Sequence, residues 1–492
     1  MTDAGLVTLA VFLPALATVP ISLAASRPNL REAISLATAA ATAAVVLSLV
    51  PGVIAGARPE TARFSIFAGI ELGFAVEPLG MLFASVASVL WIVNTIYSIG
   101  YMRGNGEPRQ TSFYVCFAVA ISSAVGIAFS ANLFTLFLFY EILTLSTYPL
   151  VAHKGDEEAR SGGRVYILLL LGTSMVLLLP AIIATSVLAG TLDFTQGGIL
   201  AGTASPVIIA LLLAAYMFGI GKAALMPLHF WLPAAMVAPT PVSALLHAVA
   251  VVKAGVFTVV KVIVYVFGID LLAETGAGDW LIYAAGFTVL TASLVALRQD
   301  NLKRLLAYST VSQLSYVILA TAILTPISVV GAVLHIAAHA VAKITLFFAA
   351  GSVYTAAHIT EISRMRGIGR RMPWTMTAFA IGALSMIGVP PTAGFLGKWF
   401  MLTGAMESAN WVAFTVIVIS TLLNAGYFLP IVFSAFFLSA DDGKAHGHDH
   451  GEAPWPIVLA LTATAMGTVA MFFLPDIPME LAKGLVPEQV AE

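Results

Sequence analysis

Residues Phe218–Phe257 read FGIGKAALMPLHFWLPAAMVAPTPVSALLHAVAVVKAGVF. The stretch is apolar enough to lie in a bilayer, yet it carries Pro227, Pro233, Pro239 and Pro241, with Lys222 before the first proline and Lys253 after the last. Proline removes a backbone donor and breaks the helical ladder. Within a bilayer such a break is tolerated only where protein or a water-filled cavity surrounds it. A broken spanning helix that also carries charge therefore predicts a pathway through the protein and not a simple anchor.

The rest of the chain fits that setting. Of 492 residues, 60% are hydrophobic and 10% charged, against roughly 45–50% and 25% in soluble domains. Reading about 20 apolar residues per crossing gives fourteen spans, at 4–25, 33–55, 77–100, 112–129, 131–152, 162–188, 206–227, 242–267, 279–297, 304–323, 328–354, 373–402, 410–438 and 455–474. The first has small residues after it, as a signal peptide would, but it opens on Asp3 where a signal needs positive charge, so it reads as a span. Connections are short, which predicts one all-α, polytopic membrane domain. Net charge is −2 with no long basic or acidic run, which excludes nucleic acid as a partner. The single cysteine, Cys116, excludes a Cys-ligated iron–sulfur cluster or a disulfide within the chain.

Basic residues collect in cytoplasmic loops. With the N-terminus outside, the inner loops hold Arg27, Arg31, Arg103, Arg109, Lys154, Arg160, Arg164, Arg298, Lys303, Arg304, Arg364, Arg366, Arg370, Arg371 and Lys444, while the outer segments hold only Arg58, Arg63 and Lys483. The asymmetry predicts a bacterial inner-membrane protein with both termini on the outer side. Lys222, Lys253, Lys261, Lys343 and Lys398 fall within spans. A second break is predicted at Pro390 and Pro391 in the twelfth span, five spans after the first. An odd offset reverses orientation, so spans 4–8 (112–267) and 9–13 (279–438) would form two inverted repeats, after N-terminal helices in 1–111 and before a loop and last helix in 439–492.

Glu141 lies about ten residues into the fifth span, where a charged residue costs roughly 2.5–3.5 kcal/mol on insertion scales and must be paired, protonated or hydrated. A polar helix–helix contact is the plain alternative. Lys222 facing Glu141 would be poised to change protonation, unless it snorkels to the interface at the end of its span. Lys253 stands midway along the eighth span, with His247 about 9 Å of rise earlier. His247 reads as a packing residue or a relay. Lys261, nearer the outer end, reads as a snorkelling anchor. His335, His339 and Lys343, spaced by four, form a polar stripe on one helix face over about 12 Å. Histidine can take a proton on one ring nitrogen and release it from the other. A zinc site there would want an acidic or thiolate ligand that the neighbouring sequence does not offer. Lys398 follows the second break as Lys222 precedes the first. Glu77 reads as a helix N-terminal charge, and His446, His448 and His450 as a solvated loop or a metal-binding one. No phosphate loop, nucleophile elbow or dinucleotide fingerprint stands in a plausible context. No cofactor and no stand-alone enzyme is expected.

The stretches LFLFYEILTLSTYPLVAHKG (136–155), GKAALMPLHFWLPAAMVAPTPVSALLHA (221–248), DNLKRLLAYSTVSQLSY (300–316), HIAAHAVAKITLFF (335–348) and GVPPTAGFLGKW (388–399) resemble, in this order, the antiporter-like membrane subunits shared by Mrp-type cation/proton antiporters, respiratory complex I and membrane-bound hydrogenases. The resemblance implies a fourteen-helix fold with two inverted five-helix repeats. It implies that Glu141 and Lys222 form a modulating pair, that Lys253 is the central relay, that His335, His339 and Lys343 extend a hydrated path, and that Lys398 is the exit lysine. Lysine instead of glutamate at 398, and the short sequence after the last span, are more similar to the D-type subunit of the antiporters. The expected role is proton movement in a monovalent cation (sodium)/proton antiporter, with other hydrophobic subunits and the bilayer as partners and any sodium route elsewhere. The rival expectations are a proton-pumping subunit of a redox complex and an energy-coupling partner in inorganic-carbon uptake.

Overall fold

The computed structural model describes residues 2–67, 70–439 and 451–485. The loop histidines His446, His448 and His450 lie outside the described residues. Among those described, twelve helices are long and apolar enough to cross a membrane. The two other expected spans are those that proline interrupts. The seventh is helical only over Pro206–Gly219, and the twelfth is split into Pro373–Ile387 and Ala393–Glu407. Fourteen residues of helix rise about 21 Å, short of a hydrocarbon core of about 30 Å.

Local chemistry sets the helix starts. Proline occupies the first turn of the helices Pro28–Ile54, Pro78–Gly104, Pro206–Gly219 and Pro326–Ala357, where its missing N–H costs nothing and its fixed φ suits the helix. Asn132 caps Leu133–Val151 by accepting from the Thr135 N–H at 2.8 Å, and Thr325 and Ser328 form a reciprocal capping box.

Burial ranks the spans. The eighth (Thr240–Phe267) is wholly buried over its apolar window, and the tenth (Leu302–Ala322) and eleventh (Pro326–Ala357) nearly so, whereas the first, sixth and fourteenth bury a third. The outer helices present large apolar side chains such as Leu168, Val176 and Val187 to the exterior. The helices that carry Lys253, His335, His339 and Lys343 are thus the core of the bundle.

Several expectations change. The seventh span does not run to 227. Its helix ends at Gly219, and Lys222 sits in a 3₁₀ turn, Gly221–Ala223, followed by Ala224 in left-handed conformation (φ 55°). Pro227 three residues on forbids the ladder from resuming. A short antiparallel pair, Phe64–Phe67 with Ile70–Leu72, joins the second and third spans, and a helix Asp476–Lys483 follows the last one. Neither was expected, because each is too short to leave a periodic signal. The helix Glu157–Ala189 and the eighth span also carry π turns, at Ser174–Leu178, Leu245–Val249 and Ile263–Phe267.

The break is packed by backbone approach. A Cβ on Gly255 of the eighth span would lie 2.4 Å from the carbonyl carbon of Lys222 and 2.7 Å from its oxygen. Gly255→Ala is expected to destabilise the fold by about 1–3 kcal/mol through overpacking, while Gly172→Ala, with open space around it, leaves stability unchanged or slightly raised. Thermal unfolding of the purified full chain checks this; equal midpoints for both variants would refute the close contact.

Candidate functional site: a buried chain of lysines and histidines

Lys222 is fully buried. Its ammonium donates to the carbonyl of Tyr140 at 2.9 Å and to the Thr144 hydroxyl at 2.6 Å, and lies 3.1 Å from the centre of the Tyr140 ring. The Tyr140 hydroxyl in turn accepts from the Lys222 backbone N–H at 3.2 Å. The lysine therefore docks on the fifth helix instead of snorkelling. Glu141 is the next residue on that helix and is also buried, yet among the described residues no hydrogen bond of normal geometry reaches either carboxylate oxygen, the Ser174 hydroxyl being the polar side chain that interacts with it. The expected pair is adjacent but not joined. Lys222 is the charge whose field acts on Glu141, and its ammonium rests on the neighbouring residue.

The central groups do come together. Lys253 Nζ lies 2.6 Å from His339 Nδ1, across the packed eighth and eleventh helices. One hydrogen bond serves either state: a protonated lysine donates to the imidazole, and a neutral one accepts from it. The His339 and His335 rings are 6.0 Å apart, and His335 Nε2 meets Gln313 Oε1 at 2.9 Å. Tyr316 links the histidines to the second break, with its ring 5.9 Å from His335 and its centroid 4.8 Å from Lys398 Nζ. Lys343 donates to Ser309 at 2.9 Å. His247 packs against Phe347 at 4.8 Å, and among the described residues both its ring nitrogens lack partners, as do His335 Nδ1 and His339 Nε2.

Lys398 ends the series. Its ammonium donates to the carbonyls of Met386 and Ile387, each at 2.9 Å, and to Thr421 at 3.3 Å. Those carbonyls are the last of the half-helix Pro373–Ile387, so the lysine caps the negative end of a helix dipole. Gly388 makes the approach possible: its φ of 89° suits glycine, and a Cβ there would stand 2.8 Å from Lys398 Cδ.

Lys261 corrects an expectation. It does not snorkel: it is fully buried and pairs with Glu77 at 3.0 Å, while Tyr265 donates to the other Glu77 oxygen at 2.6 Å. Glu77 does sit at a helix N-terminus, accepting from the N–H groups of Leu79 and Gly80. Lys303, expected in a loop, reaches inward to the carbonyls of Met236 and Ala238 at 2.8 and 2.5 Å. It lines a cavity of about 240 Å³ with Lys154, Glu158, Tyr101, Thr240 and Ala350, at the end of the bundle where the basic loops gather. Ala350 and Phe347 share a face of the eleventh helix, so the cavity stops about one turn short of the contact with His247.

Sequence reasoning missed the uncharged partners: Tyr140, Thr144, Ser309, Gln313, Tyr316 and Thr421. The one available signal was the hydroxyl- and amide-rich run YSTVSQLSY in a helix otherwise apolar, whose Ser309, Thr310, Ser312, Gln313 and Ser315 are all fully buried. A buried Glu32 was also missed; it is held by Arg103 and lies 3.6 Å from Arg31.

With that geometry in place, comparison with known proteins is decisive at the level of family. Residues 130–424 match the transmembrane family described as NADH:quinone oxidoreductase/Mrp antiporter. The chain belongs to this family. It is 34% identical to NADH-quinone oxidoreductase subunit N of Desulforudis audaxviator over 375 residues, 75% of this chain and 73% of that one. It is 30% identical to the A/B subunit of a probable K(+)/H(+) antiporter of Rhizobium meliloti, over 75% of this chain but only 37% of that longer protein. The fold matches a chain in the structure of the Mrp complex from Dietzia sp. DQ12-45-1b, with a TM-score of 0.83 at 21% identity, over 99% of this chain and 97% of that one. The matched segment contains the whole series from Glu141 to Lys398.

At the basic end, outside the spans, His153 is buried in the loop after the fifth helix, 3.9 Å from Glu107. Burial, and then the neighbouring Arg109, hold the His153 imidazole below its ordinary pKa, while burial pushes Glu107 up against the opposing pull of Lys154 and Lys303. A depressed histidine contributes stability that is present above its unfolded value, about 6.5, and lost as pH falls through the folded value. Between pH 7.5 and 5 the wild-type thermal midpoint is expected to fall more than that of His153→Gln. Parallel profiles would show that His153 takes no part.

Proposed function

We propose that this chain is the proton-carrying subunit of a multisubunit monovalent cation/proton antiporter in a bacterial inner membrane. The observation that carries the reading is the buried series Lys253–His339–His335–Lys398, with its bridging Gln313 and Tyr316, reaching from the centre of the bundle to the second break. Each step joins groups that can both take up and release a proton, or hold water that does. The partnerless nitrogens of His247, His335 and His339 and the free oxygens of Glu141 are where such water belongs.

In this reading Glu141 and Lys222 set the charge beside the series. With the ammonium on Tyr140 and Thr144, the carboxylate is left uncompensated. A small displacement of the lysine toward Glu141 would neutralise it and take the ammonium off Tyr140 and Thr144. Moving a unit charge across 100 mV corresponds to about 2.3 kcal/mol, so pairing and unpairing of buried charges is on the right scale to gate the step. Lys253 relays, His335, His339 and Lys343 extend the path, His247 connects it to the cavity at Lys303, and Lys398 is the exit. Lysine at 398 and similarity to antiporter subunits support the antiporter reading, with sodium carried elsewhere in the complex.

Glu141→Gln and Lys222→Ala are each expected to leave assembly intact and to cut proton transport in inverted membrane vesicles by at least about tenfold, the effect of 1.4 kcal/mol on a barrier. Normal transport by both variants would remove the assignment. A second reading, a proton-pumping subunit of a redox-driven complex, is favoured by the 34% identity to subunit N over most of both chains. Mild-detergent purification separates the two. Hydrophobic antiporter subunits co-purify on the first reading, and flavin and iron–sulfur subunits on the second.

We further propose that the end bearing Lys154 and Arg304 faces the cytoplasm, a reading the clustering of basic residues there supports. In a background lacking Cys116, Arg160→Cys is expected to resist a membrane-impermeant thiol reagent applied to whole spheroplasts, while Ala201→Cys reacts. The reverse pattern would invert the topology.

A further inference from the structure

We propose that the crevice between the start of the second span and the end of the third binds the phosphate headgroup of an anionic phospholipid. The crevice, about 480 Å³, is lined by Arg27, Pro28, Asn29, Arg103 and Gln110. Behind it Arg31 is buried, donating to Thr111 at 3.0 Å and to Gln110 at 2.8 Å, with its guanidinium over the Tyr114 ring and its Nε without a partner. Arg103 spends its donors on Glu32 and, at 2.6 Å, on Asn29. Two guanidinium groups, those of Arg31 and Arg103, therefore share one carboxylate, Glu32, and the crevice adds a third in Arg27. Arg27 is exposed, and among the described residues its side chain has no partner.

A phosphodiester supplies what the cluster lacks, since guanidinium groups bind phosphate oxygens in a bidentate fork and are weakly enough hydrated to do so at an interface. The position is that of a headgroup. Arg27 stands immediately before the 27-residue helix Pro28–Ile54, where the hydrocarbon depth ends. Acyl chains would follow from the adjoining sequence, because Leu23, four residues before Arg27, and Leu30, next to Asn29, are exposed, Leu23 at 81%. A free anion would leave that apolar flank bare, and an acidic segment of a partner protein would have to cover it with its own apolar residues. Basic pockets among spanning helices on the positively charged side of a membrane protein are a recurrent seat for acidic lipids.

The experiment is a thermal-shift titration of the full chain in mild detergent with dioleoyl phosphatidylglycerol or cardiolipin, using phosphatidylcholine and inorganic phosphate as the other arms. Arg27→Gln is the test variant, because Arg27 holds nothing else in the fold. Arg298→Gln, an exposed arginine at the same end, is the control. The acidic lipids are expected to raise the midpoint of wild type and Arg298→Gln alike, with apparent affinity about fivefold weaker in Arg27→Gln and the difference shrinking at high salt. Native mass spectrometry should find an acidic lipid retained by wild type and depleted in the variant. An equal response to phosphatidylcholine, an equal response of Arg27→Gln, or the same shift with inorganic phosphate alone would each overturn the proposal. So would cross-linking in membranes that places a different polypeptide of the complex next to position 27.

Discussion

A charge within the hydrocarbon layer must find its compensating dipoles inside the protein, because no water or counter-ion is at hand outside it. The molecule meets that constraint differently for each buried lysine. Lys261 has a carboxylate, Glu77, and a carbonyl, Ser130 O at 3.2 Å. Lys398 has two carbonyls at a helix end, Lys222 a carbonyl, a hydroxyl and a ring face, Lys343 a serine, and Lys253 only an imidazole. Compensation is strongest at Lys261, which has a carboxylate, and weakest at Lys253, which has one imidazole. A group with weak, exchangeable compensation is one whose charge can change at small cost, so the position of Lys253 in the middle of the series has a physical sense.

The proline breaks serve the same constraint. An intact helix satisfies its own carbonyls and offers none to a neighbour, whereas interruption frees several. At the second break Met386 and Ile387 turn those free acceptors onto Lys398, and Asn424 also donates to the Met386 carbonyl at 3.4 Å. At the first, the Gly221 carbonyl accepts from Trp231 Nε1 at 2.9 Å and the carbonyls of Met236 and Ala238 accept from Lys303. The two breaks share their place in the span order but not their use. One holds its own lysine, while the other presents its lysine to the fifth helix.

Much of this was legible in sequence, and the remainder was hidden for identifiable reasons. Long apolar runs announce spans because the bilayer demands them, and prolines announce breaks because they cannot be hidden in a ladder. The spacing of His335, His339 and Lys343 fixed their shared face. What sequence could not supply was the partner across the helix interface. Lys261 looked like an anchor because its distance along the chain from the outer end was visible, and the approach of Glu77 from another helix was not. Glu141 and Lys222 were legible as neighbours, yet the choice of Tyr140 and Thr144 as the ammonium's seat depends on side-chain direction about the fifth helix. Uncharged partners such as Gln313 and Tyr316 carry no compositional flag in a spanning helix, and the paired strands Phe64–Phe67 and Ile70–Leu72 are too short to alternate convincingly.

The shortage of buried acid has a consequence for how the series works. Among the described residues, the series Lys222, Lys253, Lys343 and Lys398 with His247, His335 and His339 includes one carboxylate, Glu141, that is in no ion pair, since Glu77 is already engaged by Lys261. Two unit charges roughly 6 Å apart repel by about 3 kcal/mol at an effective dielectric of 20. That exceeds what 100 mV supplies to a unit charge. Neighbouring sites in the series therefore cannot all be charged together, and occupancy of one must lower occupancy of the next. On the proposed reading, a proton arriving at Lys253 would push on the histidines, and the push would be relieved when charge reached Lys398 and left. Under the same reading Glu141 makes the row adjustable, because a carboxylate that is neutralised or exposed would shift its balance by one charge. The sign of the shift would then bias which way charge moves along the row.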